Sequence, residues 1–467
     1  MTRYELYKKA SYDWLKNIPF HWEELFLEQV AQEKLKKNSN NDISKVLSLS
    51  YGSIKVKKDL NKGLISKDLS TYQIVEPGDI IMRLTDLQND HKSLRTGLVN
   101  DKGIITAAYL CLSPKINSRY LHYLLHSYDT LKVFYGMGGG VRQSIGFKDI
   151  RHMYLPVPPR TEQEQIVRFL DWKVSEINKL IGIERGKIQN LEELKNKAID
   201  KAVIHGLKPQ KEKLNEDIRW EISYPSSWKI ERLRNIFSFR KGLSITKANL
   251  EPNGIEVINY GQIHSKKNTM VSLNEDLFKY VNESYLETDA ASLVKKGDFI
   301  FADTSEDLEG CGNCAYIDRC GEIFAGYHTV IAHPKERTNN KYFAYLFKSS
   351  VWRYQVRKKV NAVKVYSITQ QILKDVFLFV PSELEQVQIV EHLDKLCYQI
   401  DEFISTAKKK INELEDMKAV VISDVVTGKI DVRNVEIPEY EHIDDMVDDG
   451  DWEENEEELA DAEETEV

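Results

Sequence analysis

Two stretches of the chain place apolar residues at the spacing of a long packed helix. Within each stretch, apolar residues recur every seven positions in two interleaved series, and the second stretch repeats the first 223 positions later. A seven-residue repeat is the spacing of a coiled coil, so we predict two long helices that pair along these series rather than two ordinary core helices. The predicted pairing positions are Val167, Leu170, Val174, Ile177, Ile181, Ile188 and Leu191 in the first helix and Val390, Leu393, Ile400, Ile404, Ile411 and Leu414 in the second.

The first of these helices is predicted to run from Glu162 to His205. Two prolines, Pro158 and Pro159, precede it, and Thr161-Glu162-Gln163-Glu164 has the pattern of a capping box. At 1.5 Å per residue the helix is about 66 Å long, well beyond a typical globular helix. If the two helices pair antiparallel, the globular parts that precede them lie at opposite ends, and helix length acts as a ruler between them.

The chain also repeats as a whole. Trp14, Pro19 and Trp22 return 206 positions later, and Gly78-Asp79 returns 219 positions later. A period above 200 residues is too long for a solenoid repeat, so each copy is a whole domain with a connecting element. We therefore predict a molecule with pseudo-two-fold symmetry.

The globular part of each copy mixes short β-type runs with a helix. Residues 70–82, for example, predict a strand, a turn at Pro77-Gly78-Asp79 and a second strand. The predicted fold class is α+β, with two globular domains joined by two long antiparallel coiled-coil helices. The predicted boundaries are 1–155 for the first globular domain, 156–206 for the first long helix, 207–378 for a linker and the second globular domain, 379–430 for the second long helix, and 431–467 for a C-terminal extension.

Charge is distributed unevenly along the chain. Residues 439–467 contain 16 Asp and Glu and no Lys or Arg, which leaves 65 Lys and Arg against 57 Asp and Glu in residues 1–438. A basic body suits phosphate binding, whereas an acidic low-complexity end buries little apolar area and is expected to be disordered. The tail is interpreted first as a solubility element. The alternative is that it competes with DNA for the basic body.

Catalytic apparatus is not recognisable in the sequence. Gly182 to Lys187 has the wrong spacing for a phosphate loop, and the Pro158-Pro159 pair lacks the neighbours expected of an adenine methyltransferase pocket. We therefore predict no catalytic residues. No apolar run approaches the ~18 residues that a membrane span requires, and five cysteines without a signal peptide indicate reduced thiols in the cytoplasm.

One group of residues invites a metal interpretation. Cys311 and Cys314 form a Cys-x-x-Cys pair near Cys320 and His328. A second such pair is missing and the first copy has no counterpart. We therefore prefer buried reduced cysteines and predict no metal site.

Basic and polar residues cluster in both globular parts and are candidate DNA contacts. Arg can read guanine and Gln can read adenine, whereas Lys more often holds phosphate. Arg142 and Gln143 stand out because Lys364 occupies the corresponding place in the second copy. The candidates are Lys55, Lys57, Lys58, Arg83, Arg142 and Gln143 in the first domain and Arg240, Lys241, Lys266, Lys267, Arg357, Lys358, Lys359 and Lys364 in the second.

Several motifs together resemble the specificity subunit of type I restriction-modification systems. They are the entry segment from Trp14 to Trp22, the run from Leu155 through Asp171, and the end of the second copy from Val426 to Ile430. With the duplication, the resemblance covers nearly all of residues 1–438. It departs at Phe379-Val380-Pro381-Ser382, which has one proline where the first copy has three, and in the acidic tail.

The resemblance implies a non-enzymatic reader of double-stranded DNA. Each globular domain would be a target recognition domain for one half of a bipartite sequence, and the helices would fix the spacer. Two methyltransferase subunits, which bind S-adenosylmethionine, would be partners, and motor-nuclease subunits would use ATP and Mg. The competing interpretation is a coiled-coil scaffold that joins two protein-binding domains and does not bind DNA.

Overall fold

A computed structural model describes residues 2–12, 14–50, 52–57, 68–85, 87, 94–137, 145–214, 223–336, 338–361 and 365–444. The chain divides into two compact units. Unit 1 comprises Met1–Gly186 and Ala407–Val467, and unit 2 comprises Lys187–Thr406. The division passes through both long helices, so each unit contains one globular domain and a part of each helix.

Unit 1 is a mixed domain of short strands and helices. Its strands are β1 (Tyr7–Lys9), β2 (Asn17–Pro19), β3 (Glu23–Phe26), β4 (Ala31–Glu33), β5 (Leu47–Ser50), β6 (Ser53–Val56), β7 (Gln73–Val75), β8 (Ile80–Met82), β9 (Thr96–Leu98), β10 (Gly103–Ile105), β11 (Leu110–Pro114) and β12 (Tyr154–Val157). Its helices are α1 (Leu27–Val30), α2 (Ser118–Thr130), α3 (Phe147–Ile150) and the start of α4 (Arg160–His205), with 3-10 turns at Leu69–Thr71 and Val133–Gly136.

The main sheet of unit 1 has the strand order β4-β11-β8-β9-β6-β5, and smaller pairs are β1-β2, β7-β10 and β3-β12. The predicted strand-turn-strand at residues 70–82 is present as β7 and β8, but the two strands pair in different sheets. Gly78 has a φ of +93° in the turn between them, a conformation that favours glycine. The turn therefore moves the chain from one sheet to the other.

Unit 2 has a corresponding construction. Its strands are β13 (Glu212–Leu214), β14 (Ser223–Pro225), β15 (Lys229–Arg232), β16 (Phe237–Lys241), β17 (Ile255–Ile258), β18 (Lys279–Val281), β19 (Leu293–Val294), β20 (Phe299–Ala302), β21 (Thr304–Ser305), β22 (Cys314–Tyr316), β23 (Ile323–Ala325), β24 (Thr329–Pro334), β25 (Tyr366–Ser367) and β26 (Phe377–Val380). Its helices are α5 (Leu233–Ile236), α6 (Tyr260–His264), α7 (Tyr285–Thr288), α8 (Asn340–Lys348), α9 (Ser350–Arg357), α10 (Gln370–Lys374) and the start of α11 (Glu383–Val426), with 3-10 turns at Lys247–Asn249, Glu275–Leu277 and Ala290–Ser292.

Two sheets form the body of unit 2. Their strand orders are β16-β24-β20-β22 and β18-β17-β23-β19, and smaller pairs are β13-β14, β15-β26 and β21-β25. Aromatic side chains fill the core between the first sheet and α8 and α9. Phe299 contacts Phe347 edge to face with ring centroids 4.9 Å apart, and Phe347 lies 4.6 Å from Trp352. Such pairs add specific geometry to the apolar burial that holds the unit together.

The long helices pack against each other within each unit. In unit 1, Lys418 Nζ donates to Asn178 Oδ1 over 3.3 Å and Lys410 Nζ to Glu184 Oε1 over 2.6 Å. A later residue of α4 thus meets an earlier residue of α11, so the two segments run antiparallel there. In unit 2, Lys195 of α4 pairs with Asp401 of α11 over 2.6 Å.

The C-terminal extension differs from the sequence-based expectation. Disorder is expected from Glu439, but the chain contacts α4 as far as Ile443. Gln165 Nε2 donates to the carbonyl oxygens of Val432 and Val435, and Asn178 Nδ2 donates to that of Ile443 over 3.0 Å. Charge composition does not predict this packing, because hydrogen bonds from side-chain amides of α4, and not apolar burial alone, hold the backbone of the extension. Residues 445–467 lie outside the described part of the chain.

The observed fold is α+β with two globular domains, as the sequence predicts at that level. No described helix is both long and apolar enough to cross a membrane. All five cysteines are free thiols, four of them buried and Cys320 exposed.

Candidate nucleic-acid interface

The first helical turn of α4 carries a buried carboxylate that ties the globular domain of unit 1 to the helix. Glu162 is 6% exposed and accepts hydrogen bonds from Tyr4 Oη over 2.6 Å and Trp22 Nε1 over 3.0 Å. His21 Nε2 lies 2.8 Å from the other carboxylate oxygen. Burial and the neighbouring Glu162 raise the pKa of Tyr4, so its hydroxyl stays a donor. The predicted capping box is wrong, because α4 begins at Arg160, ahead of Thr161, and Glu164 pairs with Arg160.

Unit 2 repeats this connection with a different set of donors. Trp228 Nε1 donates to Glu385 Oε2 over 3.0 Å, the same distance as in unit 1. Gln210 Nε2 donates to the other oxygen of Glu385 over 2.7 Å. The tryptophan and glutamate found by the sequence repeat therefore form one structural element in both copies.

A second pair of equivalent contacts lies about two and a half helical turns further along. Tyr123 Oη donates to Asp171 Oδ1 over 2.9 Å in unit 1, and Tyr345 Oη donates to Asp394 Oδ1 over 2.7 Å in unit 2. Burial raises the pKa of Asp171, and the charge of Arg119 opposes that effect. These contacts fix the orientation of α2 and α8 against their long helices.

The helix interface in unit 1 combines apolar and charged contacts. Ile177, Ile181 and Leu414 form one buried apolar cluster, against which Ile411 packs. Glu184, in the same seam, is 5% exposed and is neutralised by Lys410. A buried charge costs free energy unless it is paired, so this ion pair makes the helix pairing selective.

All of the predicted pairing positions are buried or half-buried. Half-buried positions are Val174, Ile188, Leu191 and Ile411. The others, all under 10% exposed, are Val167, Leu170, Ile177, Ile181, Val390, Leu393, Ile400, Ile404 and Leu414. Val167 and Leu170 pack in the core of unit 1 together with Ile422 and Val425 of α11.

The structure describes three of the six basic and polar candidates of unit 1. Lys55, Lys57 and Arg83 are half-buried and take part in interactions within the protein. Lys58, Arg142 and Gln143 lie outside the described residues. The structure therefore places the first three beside or within β6 and β8 and leaves the other three as sequence-based predictions.

The basic candidates of unit 2 include several that bind other protein groups. Arg240 donates to the Ala291 carbonyl oxygen over 2.7 Å and lies 3.3 Å from the buried carboxylate of Asp298. Its guanidinium thus holds β16 in place. The remaining described candidates are Lys241, exposed at the end of β16; Lys266, exposed with an interaction inside the protein; Lys267, which pairs with Asp276; Arg357, which donates to the Glu309 carbonyl oxygen; Lys358, which lies over the Tyr354 ring; and Lys359, which donates to the Asp375 carbonyl oxygen. Lys364 lies outside the described residues.

The segments that follow Arg142 and Lys364 make equivalent contacts in the two units. Two positions after Gln143, Ile145 N donates to the Leu84 carbonyl oxygen over 3.0 Å. Four positions after Lys364, Ile368 N donates to the Asp303 carbonyl oxygen over 2.7 Å. In both units the chain therefore contacts the residues that follow β8 or its equivalent β20, which supports the sequence alignment of the two segments.

The Cys-x-x-Cys group that was weighed as a metal site consists largely of buried thiols. Cys311 and Cys314 are buried, and burial raises the pKa of both thiols, that of Cys311 less strongly. His328 instead faces Asp303. Within the part of the chain that the structure describes, no group of three or more His, Cys, Asp or Glu residues could hold a metal ion.

Sequence reasoning missed two groups of functional interest. One comprises Glu162 and Glu385, whose partners are more than a hundred residues away along the chain. Their signal was the joint recurrence of Trp and Glu in both copies. The other is the pair of Asp303 and His328, which no repeat could reveal because the first copy lacks it.

These features define a duplicated α+β protein in which each domain is fixed to a long helix. Residues 21–193 and 225–416 match the model of the type I restriction modification DNA specificity domain. The chain belongs to that family.

Known relatives cover most of the chain. It is 21% identical to the type I restriction enzyme MjaVIII specificity subunit of Methanocaldococcus jannaschii over 80% of this chain and 85% of the relative. It is 24% identical to the putative MjaX specificity subunit of the same organism over 92% of this chain and 97% of the relative. A chain from a structural study of the type I restriction-modification system matches its fold with a TM-score of 0.60 and 15% identity, over 88% of this chain and 99% of that one.

Proposed function

We propose that this protein reads double-stranded DNA for a type I restriction-modification complex. Each globular domain takes one half of a bipartite target. The observation that carries the proposal is the repeated tryptophan-glutamate contact, Trp22 with Glu162 and Trp228 with Glu385, which fixes two similar domains to two long helices. Family membership supplies the ligand, DNA.

The long helices set the unread spacer between the two half-sites. The antiparallel contacts within each unit support this role, because a paired helix resists bending better than a single one. In B-DNA one turn spans ~34 Å, so helices of ~66 Å are long enough for the two domains to engage one duplex one to two turns apart. Binding through both domains then gains from their effective concentration.

The chain acts without catalysis of its own. Two methyltransferase subunits, which bind S-adenosylmethionine, modify adenine in each half-site, and motor-nuclease subunits that use ATP and Mg translocate and cleave DNA. The protein acts in the cytoplasm, where these partners and the DNA are found. The acidic residues after Asp444 weaken nonspecific DNA binding by competing for the basic body.

Long-read sequencing of DNA modification tests the proposal directly. Cells that carry the partner methyltransferase are compared with and without this gene. We expect methyladenine in one bipartite motif to disappear when the gene is removed. An unchanged methylation pattern together with the absence of salt-dependent DNA binding by the purified complex would refute the proposal in favour of the protein scaffold.

The spacer role has its own test. Four residues inserted after Gly182 add about one helical turn to α4, ~6 Å. The recognised motif should keep both half-sites and change its spacer. A motif with altered half-sites and the original spacer would contradict the ruler.

A further inference from the structure

The end of β20 in unit 2 carries a polar pair that unit 1 lacks. Phe301 of β20 pairs with Val330 of β24, and Met82 of β8 pairs with Leu110 of β11. Two positions after Phe301 and two before Val330, unit 2 has Asp303 and His328. At the equivalent positions, two after Met82 and two before Leu110, unit 1 has Leu84 and Ala108. Equivalent backbone positions thus hold a carboxylate and an imidazole in one domain and two apolar side chains in the other.

This pair lies beside the segment that follows Lys364. Ile368 N donates to the Asp303 carbonyl oxygen, and Thr304 and Ser305 of β21 pair with Ser367 and Tyr366 of β25. The chain that follows Lys364 therefore runs next to Asp303. A side chain at this point lies beside the segment that follows the residue assigned to DNA contact by the sequence repeat.

The imidazole of His328 is oriented by its neighbours. Its Nδ1 lies 3.3 Å from Asp303 Oδ1 and 3.4 Å from Thr304 Oγ1, and Thr304 Oγ1 donates to the same carboxylate oxygen over 2.9 Å. Because the hydroxyl proton of Thr304 is given to Asp303, both neighbours of Nδ1 are acceptors, which favours a proton on Nδ1 and leaves Nε2 as a hydrogen-bond acceptor in the neutral ring. The side chain of His328 is 58% exposed, and among the described residues nothing bonds to Nε2.

The backbone and the surrounding rings hold this arrangement. His328 has a φ of +55°, a left-handed conformation that costs a non-glycine residue about 1 kcal/mol and is enriched at functional sites. Tyr260 meets the imidazole edge to face with ring centroids 5.5 Å apart, and Tyr327 does so at 6.0 Å. His328 thus occupies a backbone conformation that glycine would adopt at a lower cost in free energy.

We propose that His328, held by Asp303, accepts a hydrogen bond from a base amino group in the half-site that unit 2 reads. In the major groove only adenine N6 and cytosine N4 present amino donors, so the contact selects one of these bases at one position. Asp303 is a positioning residue, because it acts through the imidazole. The inference rests on the proposed function and specifies one contact of it.

The test uses the full chain in its complex with the methyltransferase subunits. H328A and H328G should both relax recognition at a single base pair of one half-site by about tenfold, while the other half-site is unchanged. H328G removes the side chain and relieves the left-handed backbone, so it reports on reading even if H328A folds poorly. H152A is the matched control, since His152 is equally exposed at 60% and lies 3.4 Å from a carboxylate of Glu28 in unit 1. It should change neither half-site.

Modified DNA tests the chemistry of the contact. At the affected position, purine in place of adenine, or 2-pyrimidinone in place of cytosine, removes only the amino group. The wild-type complex should bind this DNA about tenfold more weakly, and the H328G complex should bind both DNAs equally. D303L, which introduces the residue of unit 1, should behave like H328G.

The outcomes separate this inference from the proposed function. If the wild-type complex discriminates a bipartite motif and H328G discriminates it equally well at every position, the inference is wrong and the proposed function stands. If the wild-type complex shows no sequence-selective binding or methylation, the proposed function fails and the inference fails with it.

Discussion

Replacing Glu162 by alanine should loosen unit 1 far more than replacing its counterpart Glu385 loosens unit 2. Glu162→Ala leaves two buried donors unpaired, Trp22 Nε1 and Tyr4 Oη, in side chains that are 0% and 5% exposed. Each unpaired buried donor costs about 1–3 kcal/mol, so we expect about 2–6 kcal/mol in total. Glu385→Ala leaves only Trp228 Nε1 without an acceptor, because Gln210 is exposed and can bond water. The expected cost of Glu385→Ala is therefore about 1–3 kcal/mol.

Hydrogen exchange of the full chain measures both effects separately. Amide protection in α2 reports on unit 1 and protection in α8 reports on unit 2. Glu162→Ala should lower the opening free energy of α2 and leave that of α8 unchanged. The matched control is Glu164→Ala two positions away, since Glu164 is 52% exposed and pairs only with Arg160. Such an exposed pair is worth at most about 1 kcal/mol.

The reasoning would be refuted if Glu162→Ala and Glu164→Ala lowered the protection of α2 by the same amount. The carboxylate of Glu162 would then contribute no more to stability than an exposed charge, and its contact with Trp22 would not anchor the domain. Glu162→Gln adds a finer check. It keeps an acceptor for Trp22 and Tyr4 but no charge, so its effect should lie between those of Glu164→Ala and Glu162→Ala.

Three further predictions concern the helices, one lysine and the tail. Ile181→Asp and Ile404→Asp each bury an unpaired charge, at positions that are 4% and 8% exposed, and should lower the free energy of unfolding in denaturant by at least about 3 kcal/mol. The control Leu180→Asp, at a position 45% exposed, should lower it little, and equal losses of stability would contradict the predicted helix pairing. Burial lowers the pKa of Lys348 to about 8, below its value in the unfolded chain, so the unfolded state binds more protons between pH 8 and 10 and stability should rise with pH there. Because this side chain is only half-buried, we expect a gain of about 1–2 kcal/mol that Lys348→Met abolishes, and parallel pH profiles of both proteins would refute it. Deletion of residues 445–467 should tighten nonspecific DNA binding at low salt and not at high salt, and an affinity unchanged at low salt would exclude competition by the tail.

The long helices could be predicted from sequence because a seven-residue repeat is a local pattern. The structure has α4 from Arg160 to His205, against a predicted start at Glu162. The apolar seam of the helices and the strands at residues 70–82 are determined mainly by residues close together in the chain. A local sequence pattern is therefore enough to predict them. Boundaries differ by a few residues, as helix ends depend on capping contacts.

Contacts between distant residues could not be predicted in the same way. Nothing in the neighbours of Glu162 indicates that it binds the globular domain, because its partner Trp22 is 140 positions away. Arg240 was grouped with the DNA contacts because basic residues cluster there, yet it pairs with the buried Asp298. A charge in sequence does not show whether its partner is a phosphate or a carboxylate brought close by folding.

Unit 1 is built from an early and a late segment of the chain, and this affects how the protein folds during synthesis. Its core includes Val425, Val426 and Val432, and Thr2 bridges to Asp431, so the first domain to leave the ribosome is the last to be completed. Unit 2 is continuous from Lys187 to Thr406 and can finish earlier. A premature stop before residue 407 would therefore damage the domain at the opposite end of the gene from the lesion.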